Sequence, residues 1–145
     1  MPTFCFLTQP TDLQLDDILA LYRLAGWWHS SGVSDRDRKQ VRGIVAGSHC
    51  FLIVTETPDR DAPLIGMGRS ISDGASDAYI QDVVVAPAYR GLGIATGIIE
   101  RIVRRLQGDG IEWIGLVAER NTQKLYQPLG FLPMADSQPM IYRKK

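Results

Sequence analysis

Two glycines lie at the centre of the most informative segment of the chain, Tyr89-Arg90-Gly91-Leu92-Gly93-Ile94-Ala95-Thr96. The preceding run, Val83-Val84-Val85, is apolar at consecutive positions, which is typical of a strand that is covered on both faces of a sheet. The residues that follow change to a helical period of apolar positions. A glycine loop that joins such a strand to a helix exposes free backbone N–H groups at the positive end of the helix dipole. This arrangement favours the binding of a phosphate or pyrophosphate group.

Two kinds of cofactor-binding loop contain glycines in this arrangement. The dinucleotide fingerprint G-x-G-x-x-G would begin at Gly91, but its sixth position is Thr96 instead of glycine. It would also follow three strands of antiparallel type and leave little chain for a second nucleotide-binding half. Coenzyme A is the second candidate ligand of this loop, because free amides at a helix N-terminus bind its pyrophosphate equally well. A tight turn without any ligand is the third interpretation.

The segments after the loop alternate between helix and strand. Residues 92–107 are predicted to form an amphipathic helix. Its apolar stripe consists of Ile98, Ile99, Ile102, Val103 and Leu106. A strand is predicted at residues 113–117, a short helix ends near Gly130, and a last strand covers residues 140–143.

The segments before the loop predict four strands and two capped helices. Thr11 and Gln14 match a capping box, and the helix that they open ends at Gly26. Ser34 is the predicted N-cap of a second helix, which ends at Gly47. The strands are predicted at residues 4–7, 50–56, 64–71 and 78–85.

The order of these elements is β-α-α-β-β-β-α-β-α-β. Strands that follow one another through short turns favour antiparallel pairing, whereas a helix between two strands favours parallel pairing. We therefore predict an α/β (α+β) layered sandwich, in which helices cover both faces of a central mixed, mostly antiparallel sheet.

The composition excludes several classes of protein. The chain has 145 residues, of which 45% are hydrophobic and 22% are charged, so it has enough apolar side chains for one folded core. Sixteen Lys and Arg balance sixteen Asp and Glu, and a neutral chain has no long-range attraction to nucleic acid or to an anionic membrane. No apolar run approaches the roughly 20 residues of a membrane-spanning helix. We expect one domain over residues 1–145, with neither nucleic acid nor membrane as a partner.

The cysteines and histidines give further expectations. Cys5 and Cys50 both lie in apolar runs, and two cysteines are few for a small secreted fold. We therefore expect buried free thiols and a cytoplasmic location. Because His, Cys and carboxylate residues do not occur at the spacing of metal ligands, we expect no metal.

Three motifs, in the same order along the chain, resemble those of the GNAT superfamily. The pyrophosphate loop of that family reads Arg/Gln-x-x-Gly-x-Gly/Ala, and Arg90, Gly93 and Ala95 occupy its three positions. The apolar strand before the loop ends at a proline, Pro87, as is usual in the family. Leu125-Tyr126-Gln127-Pro128-Leu129-Gly130-Phe131 resembles the family signature Tyr-x-x-x-Gly-Phe. The resemblance covers nearly the whole chain and implies an acetyl-CoA-dependent N-acetyltransferase, in which a primary amine attacks the thioester directly in a ternary complex.

The resemblance also implies how acetyl-CoA binds. The central strand separates from its neighbour, and the pantetheine arm hydrogen-bonds backbone groups of Val83 and Val85. An amide that lies near the thioester carbonyl stabilises the oxyanion of the intermediate. The implied cofactor-binding residues are Val83, Val84, Val85, Arg90, Gly91, Leu92, Gly93, Ile94, Ala95 and Thr96.

The catalytic candidates are one acid and three groups for the base. By resemblance Tyr126 is the general acid that protonates the departing thiolate, and the alternative is an aromatic ring that packs beneath the cofactor. Asp82 is the carboxylate nearest to the pantetheine strand and serves either as the base or in a structural salt bridge. Strand alternation predicts that Tyr79 and Gln81 share a face with Val83 and Val85, where they would orient a water that carries the proton. A water chain without a single base is the remaining option.

The loop Trp27-Trp28-His29 is the predicted binding site of the acceptor amine. Its two aromatic rings would recognise an aryl or apolar amine, or alternatively they would cap the core. His49 is assigned a structural role. Four segments resemble the branch of the superfamily that contains the plant plastid serotonin-type N-acetyltransferases. They are Ile65–Arg69, Ser72-Asp73, Asp82-Val83 and Glu119–Tyr126. A small-molecule amine is therefore the expected acceptor.

The sequence departs from the family pattern at two positions. Pro128 falls inside the short helix after Tyr126 and is expected to shorten or bend it. Asn121 lies closer to Tyr126 than the family's asparagine does, so its contact to pantetheine is not carried over. Three other functions stay open, namely a coenzyme A-binding sensor without turnover, a protein or peptide amine acetyltransferase, and an interaction module that binds no coenzyme A. A homodimer is possible by analogy with the superfamily.

Overall fold

The computed structural model describes residues 1–144, which fold around a five-stranded sheet. The strands are β1 (Thr3–Phe6), β2 (Cys50–Thr55), β3 (Leu64–Ser72), β4 (Asp77–Val85) and β5 (Trp113–Leu116). They lie side by side in chain order, antiparallel from β1 to β4, and only β4 and β5 are parallel. The prediction of a mixed, mostly antiparallel sheet is confirmed.

Four α-helices accompany the sheet in the described residues 1–144. They are α1 (Asp12–Leu24), α2 (Asp35–Gly47), α3 (Ile94–Gly108) and α4 (Gln123–Tyr126). Thr11 and Gln14 form the predicted capping box of α1, and the Ser34 side chain accepts a hydrogen bond from the Asp37 N–H at the start of α2. Both helix starts therefore follow from the local sequence.

Two apolar cores lie on opposite faces of the sheet. Side chains of α1 and α2 pack on one face against alternate residues of the strands, such as Phe51, Ile53 and Met67. The apolar stripe of α3 packs on the other face, against residues such as Leu52 and Ile80. Helices thus cover both faces of the sheet, as the apolar patterns predicted.

Two glycines allow α3 to lie close to the sheet. A Cβ atom on Gly68 in β3 would be 2.6 Å from Cγ2 of Ile98, and one on Gly97 in α3 would be 2.8 Å from Cζ of Phe4. Neither distance is possible for real atoms without a shift of the neighbour. This close contact fixes the position of the helix and therefore of its N-terminus.

A β-bulge interrupts the pairing of β3 and β4. Met67 pairs with Val84, but Arg69 pairs with Gln81, so two residues of β4 lie opposite one residue of β3. One of the two, Asp82, has φ 58°, which is the left-handed region. The extra residue shifts the alternation of side chains for the rest of the strand.

The strands β4 and β5 separate halfway along β4. Their pairing runs from Asp77 opposite Trp113 to Ile80 opposite Leu116 and ends there. Within residues 1–144, residues 81–85 of β4 consequently have no strand partner on the side of β5. This open edge of β4, residues 81–85, leads directly toward the glycine loop.

The predicted last strand at residues 140–143 does not form. Residues 132–144 have no regular secondary structure, and the large apolar side chains there are exposed. They are Leu132, Met134, Met140, Ile141 and Tyr142. A β-prone segment becomes a strand only where a neighbour supplies its ladder hydrogen bonds, and no strand pairs with this one in the described residues.

The two cysteines differ in burial. Cys50 is a buried free thiol, as expected, whereas Cys5 is exposed, so the expectation that both are buried is wrong for Cys5. Phe4 and Phe6 pack on the α3 face, and alternation along the edge strand β1 turns Cys5 to the other face. None of the helices formed by residues 1–144 has the length and apolar character that crossing a membrane requires.

Candidate active site

The glycine loop enters α3 through two left-handed glycines. Gly91 has φ 78° and Gly93 has φ 80°, and Gly93 is the N-cap of the helix. The Gly93 carbonyl accepts the first helical hydrogen bond, from the Gly97 N–H at 3.0 Å. Since no side chain of the described residues 1–144 caps this end, the first-turn amides of residues 94–96 point out of the helix without a capping partner.

The loop fits an anionic ligand. A Cβ atom on Gly91 or Gly93 would meet nothing within 4 Å, so open space borders the backbone at both positions. The side chain of Leu92, between them, is 68% exposed, whereas Ile94 is buried and anchors the helix in the core. Free amides beside open space at the positive end of a helix dipole are suited to a pyrophosphate.

Arg90 connects the loop to the end of β4. Its Nε donates a hydrogen bond to the Val85 carbonyl oxygen at 3.0 Å. The Ala86 N–H, in contrast, donates to Ile65 in β3 at 2.8 Å. Because backbone groups of successive strand residues alternate in direction, those of Val83 and Val85 point away from β3 and toward the open edge of β4.

The bulge places the side chains of β4 differently from the simple alternation. Val84 packs in the core with α1 and α2, while Val83 and Val85 pack on the side of α3, which confirms the prediction of a strand covered on both faces. Gln81 pairs with Arg69, and Tyr79 lies on the same face, that of α1 and α2. The expectation that Tyr79 and Gln81 share a face with Val83 and Val85 is therefore wrong, because the extra residue at the bulge inverts the pattern.

Asp82 accepts two hydrogen bonds on one carboxylate oxygen. Tyr22 of α1 donates its hydroxyl to Asp82 Oδ2 at 2.7 Å, and Arg69 of β3 donates its Nε to the same oxygen at 2.6 Å. Burial, followed by the charge of Asp82, raises the pKa of Tyr22 well above its usual value, so the phenol keeps its proton. Neither Tyr22 nor Arg69 was predicted, because contacts between elements, across 60 and 13 positions of sequence, leave no local pattern.

The predicted acceptor loop lies beside this group. The ring of Tyr22 is 5.8 Å from that of Trp28 and 6.3 Å from that of Trp27, measured between ring centroids. Trp28 is half-buried and donates its Nε1–H to Ser30 Oγ at 3.0 Å, while Trp27 is 37% exposed. His29, the third predicted residue, is exposed. The structure brings Trp27 and Trp28 near Asp82 through Tyr22.

The segment that follows β5 lies close to the end of α1. Arg120 and Asn121 both have positive φ, at 53° and 62°, and the Arg120 guanidinium is 3.6 Å from where a Cβ on Gly26 would be. The segment after β5 and the loop that begins at Gly26 are therefore neighbours.

A second aromatic pair lies where β4 and β5 are still hydrogen-bonded. The rings of Tyr79 and Trp113 meet edge to face with centroids 5.2 Å apart, and they are 45% and 40% exposed. A Cβ on Gly115 would be 2.6 Å from the indole of Trp113, so the glycine makes room for the indole across the strand. Sequence reasoning missed Trp113, although its two-residue spacing to a glycine on one strand face was visible.

Tyr126 is the last residue of α4. Pro128 stands two residues later, and the chain continues as a 3-10 turn, Gln127–Leu129, which confirms that the proline shortens the helix. The ring of Tyr126 packs edge to face on Phe131 at 5.9 Å and contributes to the core on the α3 side, as do Val83 and Val85. Burial, and then the charge of Glu119, raises the pKa of its phenol.

Two further sequence expectations concern groups outside this region. His49 contacts Asp109 with Nε2 to Oδ2 at 2.8 Å, a structural contact as expected. Among residues 1–144, no three His, Cys, Asp or Glu side chains come together as metal ligands would.

Solved structures share this fold. A probable acetyltransferase from meticillin-resistant Staphylococcus aureus matches with a TM-score of 0.76 and 26% sequence identity, over 100% of both chains. AAC(6')-Iy in complex with the bisubstrate analogue CoA-S-monomethyl-acetylneamine matches with a TM-score of 0.70 and 18% identity, over 100% of this chain and 99% of that one. The architecture is that of the acetyltransferases.

The family follows from the sequence comparison. The model of the acetyltransferase (GNAT) family matches residues 16–131, which include β4, the glycine loop and Tyr126. The chain belongs to the GNAT family of N-acetyltransferases, as the three motifs indicated, and the family uses acetyl-CoA.

Two relatives illustrate how far the likeness extends. The ycf52 N-acetyltransferase of Pyropia yezoensis is 31% identical over 116 residues, which cover 80% of this chain and 67% of that protein. Serotonin N-acetyltransferase 2, chloroplastic, of Oryza sativa subsp. japonica is 39% identical over 100 residues. That alignment covers 69% of this chain but only half of the rice protein.

Proposed function

We propose that the chain transfers the acetyl group of acetyl-CoA to the primary amine of a small molecule, within one domain that spans residues 1–145. The observation that carries the proposal is the open edge of β4, where no strand within residues 1–144 pairs with residues 81–85 on the side of β5, and which runs into a glycine loop at a helix N-terminus. A ligand that combines an amide-containing arm with a pyrophosphate would satisfy both features.

Acetyl-CoA would be held by backbone groups more than by side chains. The amides of residues 91–96 would bind the pyrophosphate, since the Arg90 N–H already donates to the Pro87 carbonyl oxygen at 3.3 Å. The backbone of Val83 and Val85 would hydrogen-bond the pantetheine arm in place of a neighbouring strand. An amide of this edge near the thioester carbonyl would stabilise the negative charge that develops on its oxygen. Thr96 and Ala95 are half-buried at the first turn of α3 and border the same site.

The reaction forms one C–N bond and breaks one C–S bond. The neutral amine attacks the thioester carbonyl carbon, and the tetrahedral intermediate expels the coenzyme A thiolate. Tyr126 gives its phenolic proton to that thiolate, which is uphill by about 2 kcal/mol for ordinary pKa values. The proton that the attacking nitrogen loses as the amide forms then restores the phenol, so the step balances. The raised pKa of Tyr126 increases this cost, but it also keeps the acid protonated in the resting enzyme.

The proton of the acceptor ammonium would leave toward the face of α1 and α2. Asp82, Gln81 and Tyr79 carry their polar groups on this face, and a water held by them would accept the proton. Removing it from an alkylammonium costs roughly 4–5 kcal/mol at neutral pH, so a positioned acceptor matters. Asp82 is the only carboxylate of the three, and it already pairs with Arg69.

An aromatic or apolar amine is the acceptor that this face favours. Trp27 and Trp28 lie on one side of Asp82, and Tyr79 with Trp113 forms a second exposed aromatic surface on β4 and β5. Planar rings stack on such surfaces. The rice relative is named for serotonin, an aromatic amine, which supports the same class.

A panel of amines tests turnover and substrate class together. Coenzyme A thiol release from acetyl-CoA is measured with arylalkylamines, aliphatic amines, amino sugars and a lysine peptide. We expect release with the arylalkylamines above all. Equal rates across the panel would contradict the aromatic acceptor, and preference for the peptide would favour a protein acetyltransferase. Tight binding of coenzyme A without any release would identify a sensor.

The cellular setting belongs to the same proposal. A buried free thiol at Cys50 suits a reducing compartment such as the cytoplasm, and the rice relative is chloroplastic by name. We further propose that the protein acts without nucleic acid or membrane. A homodimer, by analogy with the superfamily, stays open.

A further inference from the structure

Three residues from three elements meet where β4 changes register. Tyr22 from α1 and Arg69 from β3 both donate to the same oxygen of Asp82 in β4, at 2.7 and 2.6 Å. Arg69 also reaches Gln81 Oε1 through Nη2 and Ser48 Oγ through Nη1, each at 3.3 Å. The side chains of Arg69 and Asp82 are only 15% and 21% exposed, so the contact is well shielded from water.

The backbone of Asp82 is in a conformation that needs support. Its φ of 58° is the left-handed region, which is uncommon for any residue with a side chain, although aspartate and asparagine tolerate it better than others. The peptide plane between Asp82 and Val83 depends on the torsions of Asp82. The direction of the Val83 N–H therefore depends on how firmly Asp82 is held.

We propose that Tyr22 and Arg69 are positioning residues that clamp Asp82 and so aim the amides of Val83 and Val85 at the thioester. Together, Tyr22, Arg69 and Asp82 are named the bulge clamp. The inference rests on the proposed function, since the aimed amides matter to catalysis only if acetyl-CoA lies along β4.

The bulge clamp acts on the transition state more than on coenzyme A affinity. The pyrophosphate is held by the loop at residues 90–96, which the clamp does not touch. The strand amides, in contrast, meet the carbonyl oxygen whose charge grows during the reaction. Loosening the clamp should therefore lower kcat and leave the affinity for coenzyme A nearly unchanged.

Tyr22→Phe is the first test, because it keeps the ring against Trp28 and removes only the donor. We expect kcat to fall by about tenfold to a hundredfold, as for a small misplacement of a catalytic group. The Kd for coenzyme A should change less than about threefold. The dependence of kcat on pH should keep its shape in Tyr22→Phe. If Asp82 were the base, loss of the Tyr22 donor would shift that dependence along the pH axis.

A series at Asp82 separates positioning from proton transfer. Asp82→Asn keeps an acceptor oxygen for both donors and tolerates a positive φ, while Asp82→Ala does neither. If Asp82 only positions the strand, Asp82→Asn should keep most of the kcat that Asp82→Ala loses. If the Asp82 carboxylate is the base, Asp82→Asn and Asp82→Ala should lose activity equally. Both should then change the acidic limb of the plot of kcat against pH in the same way. That result, with normal kcat in Tyr22→Phe, would overturn the proposal.

Arg38→Gln is the matched control. Arg38 pairs with Asp16 through two contacts of 2.8 Å between α1 and α2, and its side chain is 33% exposed, against 15% for Arg69. We expect it to lower thermal stability without changing kcat. Equal kcat values for Tyr22→Phe and Arg38→Gln would contradict the bulge clamp.

One readout needs no turnover. In the free protein, the backbone amide NMR shifts of Val83 and Val85 should move in Tyr22→Phe and stay in place in Arg38→Gln. Unmoved shifts in Tyr22→Phe would overturn the clamp even if the parent enzyme is active. A parent that releases no thiol from acetyl-CoA would contradict the proposed function instead, and moved shifts would still support the clamp.

Discussion

Tyr126 is the side chain on which the proposed chemistry most depends. Replacing it with Phe keeps the packing against Phe131 and removes the proton donor, so we expect kcat to fall by roughly 10²–10⁴. Coenzyme A affinity should stay near the parent value, because the loop amides are untouched. Steady-state kinetics with acetyl-CoA and the best amine measure both quantities.

The control for this change is another tyrosine. Tyr142 lies in the exposed residues 132–144, and Tyr142→Phe should leave kcat unchanged. An unaltered kcat in Tyr126→Phe would remove Tyr126 from the mechanism and leave it as a packing residue beneath the cofactor.

The pH dependence of kcat should reflect the raised pKa of Tyr126. A general acid works only while it is protonated, and a raised pKa moves the loss of that proton to higher pH. No alkaline fall in kcat due to Tyr126 is therefore expected below about pH 10, the ordinary value for tyrosine. A fall between about pH 8 and 9.5 that disappears in Tyr126→Phe would contradict the assignment.

At the scale of elements, the close contact of α3 with the sheet is the most constrained feature. Gly68→Ala would place a methyl group 2.6 Å from Ile98, so either the side chain or the helix must move. We expect a loss of about 1–3 kcal/mol in the free energy of unfolding, measured by urea denaturation.

A second glycine provides the comparison. A Cβ on Gly43, within α2, would meet nothing within 4 Å, so Gly43→Ala should stabilise the protein by about 0.5–1 kcal/mol through helix propensity. If Gly68→Ala and Gly43→Ala changed the free energy of unfolding equally, α3 would lie less tightly against β3 than the distances indicate.

The elements that local chemistry determines were predictable. The capping box at Thr11 and the cap at Ser34 place the starts of α1 and α2, and the left-handed Gly130 ends the turn after α4. The bulge at Asp82 was not predictable, because it depends on Tyr22 and on β3, both distant in sequence. Because the extra residue of this bulge was not predicted, Tyr79 and Gln81 were assigned to the wrong face of the sheet.

The same reasoning explains the rest of the site. Glycine and charge patterns identified the loop, since its amides and its helix lie within a few residues of one another. Tyr22, Arg69 and Trp113 act through contacts between elements, which periodicity does not reveal. The segment at residues 140–143 has the composition of a strand but finds no strand partner in the described residues, so propensity alone predicted too much.

At the scale of the whole molecule, ligand binding should raise thermal stability. Acetyl-CoA at 100 times its Kd should add about 2.7 kcal/mol to the free energy of unfolding, if only the folded chain binds it. Differential scanning fluorimetry should show an increase of several degrees with acetyl-CoA and none with NADH. A shift with NADH alone would favour the dinucleotide interpretation of the loop, and no shift with either would favour an interaction module.

The separation of β4 from β5 has a consequence for the free protein. Strand amides that bond to no neighbour exchange their hydrogens with solvent quickly, whereas those locked in a ladder are protected. Val83 and Val85 should thus exchange fast although they lie within a strand, while Val84, which faces β3, exchanges slowly. Among these three valines, added coenzyme A would slow exchange at Val83 and Val85 and leave Val84 unchanged. The substrate of the enzyme would then complete the sheet.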